Sequence, residues 1–170
     1  LGELRMRLVR IVVCLIVATL IFYLGTDTVV QFLLAPVAQY MPLDESGQVQ
    51  LNVFGAFDAF SVRITVALWT ALVATAPITL WQILAFFLPA LRPNERKWVV
   101  PTVLASTVLF FLGAIFCYFI IIPAGFEWLI GETSAVATAL PDLENYVNME
   151  LLFMIGFGVA FELPLIIFYL

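Results

Sequence analysis

The sequence contains no histidine, and only 11% of its 170 residues are charged, with seven basic residues among them. Without histidine, the chain lacks the side chain that most often serves as a general base or metal ligand near neutral pH. Its two cysteines, Cys14 and Cys117, each lie in an apolar run, which favours packed free thiols over a disulfide framework. Soluble domains are about half apolar and a quarter charged. Because 64% of this chain is hydrophobic, a soluble domain is excluded.

Long apolar runs take up most of the chain instead. A helix needs about 20 apolar residues to cross a hydrocarbon core of about 30 Å. The runs predict transmembrane helices at approximately residues 8–25, 64–88, 99–122 and 151–170. The connecting segments are 26–63, 89–98 and 123–150. The predicted fold class is an all-α polytopic membrane protein with a single transmembrane domain over residues 1–170.

Basic residues are distributed unevenly over the connections. Six of the seven lie before the first apolar run or in segment 89–98, and Arg63 is the exception. The six are Arg5, Arg7, Arg10, Arg92, Arg96 and Lys97. Basic residues are concentrated on the cytoplasmic side of membrane proteins. We therefore predict a cytoplasmic N-terminus and a cytoplasmic loop at 89–98, with 26–63 and 123–150 as outer loops.

Prolines and small residues give the next predictions. The outer-loop stretch TVVQFLLAPVAQYMP predicts a short helix on the membrane interface that breaks near Pro36. Pro164 is expected to kink the fourth transmembrane helix, and Pro89 is a further structural proline at the start of the cytoplasmic loop. Gly156 and Ala160 form a small-xxx-small pair, which predicts close helix packing on that face of the fourth helix.

A single glutamate, Glu95, stands in the basic cytoplasmic loop. In a structural interpretation, Asn94 is the N-cap of the third transmembrane helix and Glu95 lies in its first turn, near the positive end of the helix dipole. In a functional interpretation, a carboxylate at the membrane edge binds a cationic ligand through paired hydrogen bonds with guanidinium groups. Glu3 is the other cytoplasmic acid, and its structural interpretation is an i,i+4 partner of Arg7.

Glu162 lies inside the fourth predicted helix. If that helix starts near Leu151, a rise of 1.5 Å per residue places the carboxyl about 16 Å into the membrane, close to the midplane. A charged group at that depth costs about 2.5–3.5 kcal/mol on an insertion scale and is a functional candidate by default. The alternative is a neutral or internally hydrogen-bonded group that faces other helices. The functional interpretation predicts that Glu162 points into a concave, water-accessible face.

Motifs of enzymatic chemistry are missing from the sequence. It has no H-E-x-x-H zinc motif, no G-x-S-x-G nucleophile elbow and no phosphate-binding glycine loop. Hydroxyl side chains such as Ser61 and Ser106 have no base nearby in the sequence to activate them. The sequence therefore predicts neither an enzyme nor a bound cofactor or metal.

Several stretches, in order, resemble the TatC family of the twin-arginine protein translocase. "ELRMRL" at residues 3–8 resembles the opening of that family, and "AP" at 35–36 matches its outer-loop motif. "FDAFSVRITVAL" resembles the segment leading into the second helix, although Thr65 stands where many members carry lysine. "WQILAFFLPALRPNERK" matches the first cytoplasmic loop, and "GFGVAFELPLIIF" matches the fourth helix. The resemblance covers essentially all 170 residues.

This resemblance implies the first four of six transmembrane helices in a glove-shaped fold. It implies a receptor in the cytoplasmic (inner) membrane that binds the twin-arginine signal peptides of folded cargo proteins. Such a receptor works with the single-span subunits TatA and TatB. The larger complex contains several copies of the receptor, uses the proton-motive force and involves no nucleic acid. The implied signal-peptide site contains Glu3, Arg5, Phe86, Glu95 and Arg96. The acid matching Glu162 faces the concave interior of the glove.

Two other classes of function remain open at the level of sequence. A proton- or cation-coupled secondary transporter or channel could use Glu162 as its ion site. That class predicts broken helices in matched halves, but the Gly and Pro interruptions of this sequence do not recur in that way, and no selectivity-filter sequence is present. The other class is a purely structural membrane scaffold.

The predicted topology can be tested by cysteine labelling. In a cysteine-free background, Asn94→Cys and Ser46→Cys are expected to react with a membrane-impermeant maleimide from opposite sides, because they lie in cytoplasmic and outer loops respectively. The measurement compares intact spheroplasts with inverted vesicles. Labelling of both cysteines from one side would contradict the predicted topology.

Overall fold

The structure is a computed structural model, and it describes residues 2–41, 45, 47, 55–87, 94, 97–134 and 142–169. The described chain is helical and contains no β-strand. Its α-helices are α1 (Gly2–Leu24), α2 (Thr26–Leu34), α3 (Ala56–Phe87), α4 (Val99–Phe116), α5 (Ile122–Ser134) and α6 (Leu143–Tyr169). A 3-10 segment, Ala35–Tyr40, follows α2, and a π-helical segment, Cys117–Ile121, joins α4 to α5.

The predicted all-α membrane fold is confirmed. Within the described ranges, the stretches long and apolar enough to cross a membrane are Gly2–Leu24, Ala56–Ile83, Val99–Glu132 and Leu143–Phe168. The helices extend past the predicted spans because the sequence prediction counted apolar residues, whereas a helix continues through polar residues as long as its backbone bonds persist. Parts of both predicted outer loops are therefore helical, at 26–34, 56–63, 123–134 and 143–150.

An ion pair shows how α1 and α3 are arranged. Nη2 of Arg63 lies 3.0 Å from Oδ1 of Asp27. Asp27 follows the C-terminus of α1, whereas Arg63 lies about two turns into α3, so the two packed helices run antiparallel. We call the end of the bundle with this ion pair the cap end. The opposite end, with the first residues of α1 and the last of α3, is the open end.

An apolar cluster closes the cap end, where α2 and the 3-10 segment fold over the other helices. The cluster is formed by buried side chains of α2, the 3-10 segment, α3, the π-helical segment, α5 and α6. Its members are Leu33, Leu34, Val37, Met41, Val62, Val66, Cys117, Ile122, Phe126, Tyr146, Val147 and Leu151. The elements of the cap end are therefore held together by one shared core.

The short helix expected in the first outer loop is present as α2, and it ends at Leu34, just before Pro36. Proline has no N–H, so Pro36 cannot donate the α-helical hydrogen bond to the carbonyl of Phe32. Tyr118 donates its hydroxyl to that carbonyl instead, and its ring stacks on Phe32 with centroids 4.7 Å apart. Tyr146 donates to the next carbonyl, that of Leu33, at 3.2 Å. Two phenols thus cap the C-terminus of α2.

The π-helical segment places both halves of the α4–α5 stretch on the core. The N–H of Ile122 donates to the carbonyl of Cys117, five residues earlier. A π turn brings residues five apart onto nearly the same face. Cys117 and Ile122 are therefore both buried in the cap-end cluster, at 0% and 3% exposure. Pro123, directly after Ile122, has no N–H to continue the regular pattern.

Glycines allow α4 and α6 to cross closely. A Cβ atom added at Gly113 would lie 2.5 Å from the carbonyl oxygen of Phe157, and one at Gly158 would lie 2.7 Å from the ring of Phe110. The sequence prediction that Gly156 and Ala160 form the packing face is wrong for this chain, since both are exposed. Gly158 lies two residues from Gly156, about 200° around the helix, and it faces α4 instead.

This crossing predicts different effects for two glycine-to-alanine substitutions. Gly113→Ala is expected to lower the free energy of unfolding by about 1–3 kcal/mol, the usual cost of overpacking, because the backbone of α6 cannot move aside easily. Gly156→Ala is the matched control, since nothing lies within 4 Å of its added Cβ. It should be neutral or slightly stabilising because alanine favours helix. Thermal unfolding in detergent measures both, and equal melting temperatures would contradict the close crossing.

Candidate functional site

The open end exposes an acidic, a basic and an aromatic residue of the predicted peptide site. Glu3 and Arg5 lie in the first turns of α1, and both side chains are exposed. Phe86 lies at the C-terminal end of α3 and is 39% exposed. Because α1 and α3 are antiparallel, the structure brings these three residues to the same end of the bundle. Glu95, Arg96 and Pro89 lie outside the described residues.

Whether the carboxylate of Glu3 is paired with a basic side chain decides if it can bind an external cation. The sequence allowed an ion pair between Glu3 and Arg7 on one helix face. Among the residues that the structure describes, Glu3 and Arg7 form no ion pair with each other, and Glu3 has no other ion-pair partner. The carboxylate of Glu3 is therefore available to an external cation, in a place where Arg5 and Arg7 supply positive charge nearby.

The start of α4 differs from the sequence prediction. Trp98, and not Asn94, is the N-cap of this helix, and the first α4 residue is Val99. The backbone N–H of Thr102 donates to the carbonyl of Trp98 at 3.0 Å, and so does the Thr102 hydroxyl, at 2.6 Å. Asn94, four residues before Trp98, therefore does not cap this helix, and Glu95 lies outside the described residues.

Glu162 occupies a second polar position, inside the bundle between α4 and α6. It is 7% exposed, and its Oε2 accepts a hydrogen bond from the hydroxyl of Ser106 at 2.6 Å. Ser106 is itself 3% exposed. The other carboxyl oxygen, Oε1, has no hydrogen-bond partner among the described residues. In the isolated chain the carboxyl thus faces a neighbouring helix and not open water.

Two sequence predictions about hydroxyl groups are corrected by these contacts. Ser106 was expected to have no base nearby, yet it donates to Glu162, 56 residues later. Ser61 likewise donates to Oε1 of Glu144 at 3.2 Å, across α3 and α6. Both partners are distant in sequence, so a search of neighbouring residues could not find them. Pro164 follows Glu162 by two residues, inside α6 and exposed.

One acidic residue was missed entirely by the sequence analysis. Glu150 is the last residue of segment 123–150, which was predicted to be an outer loop, but the structure places it within α6 at 0% exposure. The available signal was its spacing from Tyr146 and Val147, which put it on the same helix face as an apolar stripe. A loop assignment hid that periodicity.

The family comparison decides which protein family has this architecture. The family model described as "Sec-independent protein translocase protein (TatC)" matches residues 1–170, the whole chain. The chain belongs to the TatC family. A TatC protein of Deinococcus radiodurans is 33% identical over 166 residues, which cover 98% of this chain and 61% of the relative. The TatC protein of Escherichia coli is 30% identical over 165 residues, covering 97% of this chain and 62% of that protein.

Solved TatC structures share the fold. A crystal structure of the twin-arginine translocase receptor TatC matches with a TM-score of 0.84 and 29% identity, over 97% of this chain and 71% of that one. A second, in the detergent DDM, matches with a TM-score of 0.81. This chain thus spans about three fifths of the length of the curated TatC relatives, as the 61% and 62% coverages show.

The Ser106–Glu162 hydrogen bond generates a stability prediction for this TatC-family chain. Ser106→Ala is expected to lower the free energy of unfolding by about 1–3 kcal/mol, because it leaves a buried carboxyl oxygen without its donor. Glu162→Leu in the same background should recover most of that loss, since removing both partners leaves no unsatisfied group. Thermal unfolding in detergent measures both effects.

Ser61→Ala serves as the control for this prediction, because its bond to Glu144 is only partly buried. Its effect should be clearly smaller than that of Ser106→Ala. If Glu162→Leu destabilised the Ser106→Ala protein further, the carboxyl would have to be held by contacts other than the serine.

Proposed function

We propose that this protein is a receptor and core subunit of the twin-arginine translocase, which binds twin-arginine signal peptides at the open end of the bundle. The observation that carries the proposal is the position of Glu3. It is an exposed acid without an ion-pair partner among the described residues, at the same end as the exposed ring of Phe86. TatC family membership supports this assignment.

The chemistry of a twin-arginine ligand suits these side chains. A carboxylate accepts two parallel hydrogen bonds from one guanidinium group, so two arginines call for two carboxylates. In the proposed site these are Glu3 and Glu95, which lie on the two segments predicted to face the cytoplasm. Phe86 provides an apolar contact for the hydrophobic part of a signal peptide. Arg5 and Arg96 limit the net negative charge, which disfavours simple cations.

The wider assembly follows from the same proposal. The open end faces the cytoplasm, as the distribution of basic residues predicts, and the bilayer is the cytoplasmic membrane. The protein works with TatA- and TatB-type single-span subunits, in a complex with more than one copy of this chain, to move folded proteins with the energy of the proton-motive force. Extensive apolar surface on α1, which contributes no buried residue, leaves room for such helical partners in the membrane.

A second candidate function, an ion-coupled transporter or channel, is favoured by one observation only. Oε1 of Glu162 is buried and has no hydrogen-bond partner among the described residues, which is a feature expected of an ion site. The bond from Ser106 to Oε2 gives that carboxyl a structural role instead. Selective binding of twin-arginine peptides distinguishes a signal-peptide receptor from an ion-coupled transporter, because ion transport does not require that selectivity.

The receptor proposal predicts the effect of removing each acid. Glu3→Ala and Glu95→Ala should each weaken the binding of a twin-arginine peptide by about 1.5–3 kcal/mol, the range for hydrogen bonds to charged groups. Exposure at the membrane edge favours the lower end of that range, because water screens the pair. Isothermal titration of the complete protein in nanodiscs measures the affinity, with a twin-lysine peptide as the ligand control.

Glu132→Ala is the matched protein control, since this exposed acid lies near the end of α5, away from α1. It should leave peptide affinity unchanged. Glu95→Gln should be milder than Glu95→Ala because it keeps the shape of the side chain and loses its charge. Wild-type affinity in both the Glu3→Ala and Glu95→Ala proteins would rule out the proposed site.

A further inference from the structure

Glu150 is the most unusual side chain outside the proposed peptide site. It is 0% exposed, and its neighbours on α6, Val147 and Leu151, belong to the apolar cluster of the cap end. Neither of its carboxyl oxygens has a partner at good hydrogen-bond geometry among the described residues, although the hydroxyl of Tyr146 lies near enough to act as a donor to it. Buried polar groups are nearly always hydrogen-bonded, so an acid left without a partner calls for a physical explanation.

Two of the polar groups near Glu150, the hydroxyls of Tyr118 and Tyr146, already donate hydrogen bonds elsewhere. Tyr146, one helical turn earlier, and Tyr118 and Cys117, from the π-helical segment, lie near enough to interact electrostatically with it. The other elements packed here contribute apolar side chains to the cluster: Leu33 and Leu34 from α2, Val62 and Val66 from α3, and Ile122 and Phe126 from α5. The two phenols are therefore the hydroxyl donors that Glu150 faces.

Each phenol has a single proton to donate. Tyr118 donates its hydroxyl hydrogen bond to the carbonyl of Phe32, and Tyr146 donates its hydroxyl hydrogen bond to the carbonyl of Leu33. Both acceptors belong to the last turn of α2, where helix carbonyls lack regular partners. The same two protons thus have two sets of possible acceptors, the α2 carbonyls and the carboxyl of Glu150.

We propose that Glu150 competes with the α2 carbonyls for the hydroxyl protons of Tyr118 and Tyr146, and so sets how firmly α2 and the 3-10 segment close over the cap end. When the phenols turn to the carboxyl, the carbonyls of Phe32 and Leu33 lose these hydrogen bonds to the bundle, and Phe32 keeps only the N–H of Ala35, so α2 is free to move away from the bundle. When the phenols keep their hydrogen bonds to α2, α2 and the 3-10 segment stay packed over the cap end. The carboxyl of Glu150 then lacks a hydrogen-bond donor. The proposal does not depend on the function of the open end.

This mechanism differs from simple destabilisation by a buried acid. A buried acid that only costs energy would weaken the cap end by the same amount whether or not the tyrosine hydroxyls are present. Competition for the hydroxyl protons requires those hydroxyls. The two explanations therefore give different results in a double-mutant cycle, which detects coupling as a failure of additivity.

The experiment is hydrogen exchange with mass spectrometry on the complete protein in lipid nanodiscs, following backbone amides of α2. Glu150→Leu is expected to slow exchange in α2 by about fivefold, the effect of one neutral hydrogen bond. The pair Tyr118→Phe and Tyr146→Phe should speed it up. In that double-phenylalanine background, Glu150→Leu should no longer change exchange in α2, while exchange in α4 reports that the fold is intact.

Two further variants complete the design. Glu150→Gln keeps the shape of the side chain and is a weaker acceptor than a carboxylate, so it should slow α2 exchange less than Glu150→Leu. Tyr40→Phe removes the hydroxyl that bonds to Glu127, at the 3-10 segment, and should leave the effect of Glu150→Leu unchanged. If Glu150→Leu slowed α2 equally with and without the two hydroxyls, or had no effect in either background, the proposal would be overturned.

Discussion

A hydrocarbon environment offers no water to backbone N–H and C=O groups, and the rest of this structure depends on that constraint. It explains why the described chain is helical. It also explains why backbone carbonyls at the ends of α1 and α2 accept hydrogen bonds from side chains of other elements. Thr26 donates to carbonyls at the end of α1, at 3.1 and 2.8 Å, and the phenols of Tyr118 and Tyr146 serve the end of α2. Pro36, which has no N–H to donate, stands where the phenols cap α2.

The two ends of the bundle satisfy the constraint differently. At the cap end, α2 folds back so that its apolar side chains join those of α3, α5 and α6 in one cluster. At the open end, Glu3, Arg5 and Phe86 remain exposed. A firmly packed end provides the rigidity that a receptor needs, and an exposed end provides the polar groups that a ligand can reach. The site proposed for signal peptides therefore lies at the end where these described side chains are exposed.

Acidic residues within the bundle are placed by their neighbours more than by their depth. Glu162 lies beside a serine on α4 and receives its hydroxyl proton. Glu150 lies about three turns earlier on the same helix. The two phenols beside it donate their hydrogen bonds to backbone carbonyls of α2. The same functional group thus accepts a hydrogen bond in a contact between helices at one level and is an unsatisfied acceptor at another. An acid in a membrane helix can therefore hold two helices together or loosen a contact, depending on whether a free donor faces it.

The sequence by itself determined the membrane class, the number of apolar spans in the described part, the short helix ending before Pro36, and the unusual position of Glu162. These features depend on composition, on the length of apolar runs and on the chemistry of proline, all of which are local. It also pointed to Glu3 and Phe86, whose common location at one end then followed from the antiparallel packing of α1 and α3. Tertiary structure alone decided that Gly158 and not Gly156 faces α4, that Ser106 meets Glu162, and that Glu150 is buried. When a helix is apolar on nearly every side, its sequence pattern does not indicate which face will pack against another helix. Partners 56 residues apart meet only when the whole bundle has assembled.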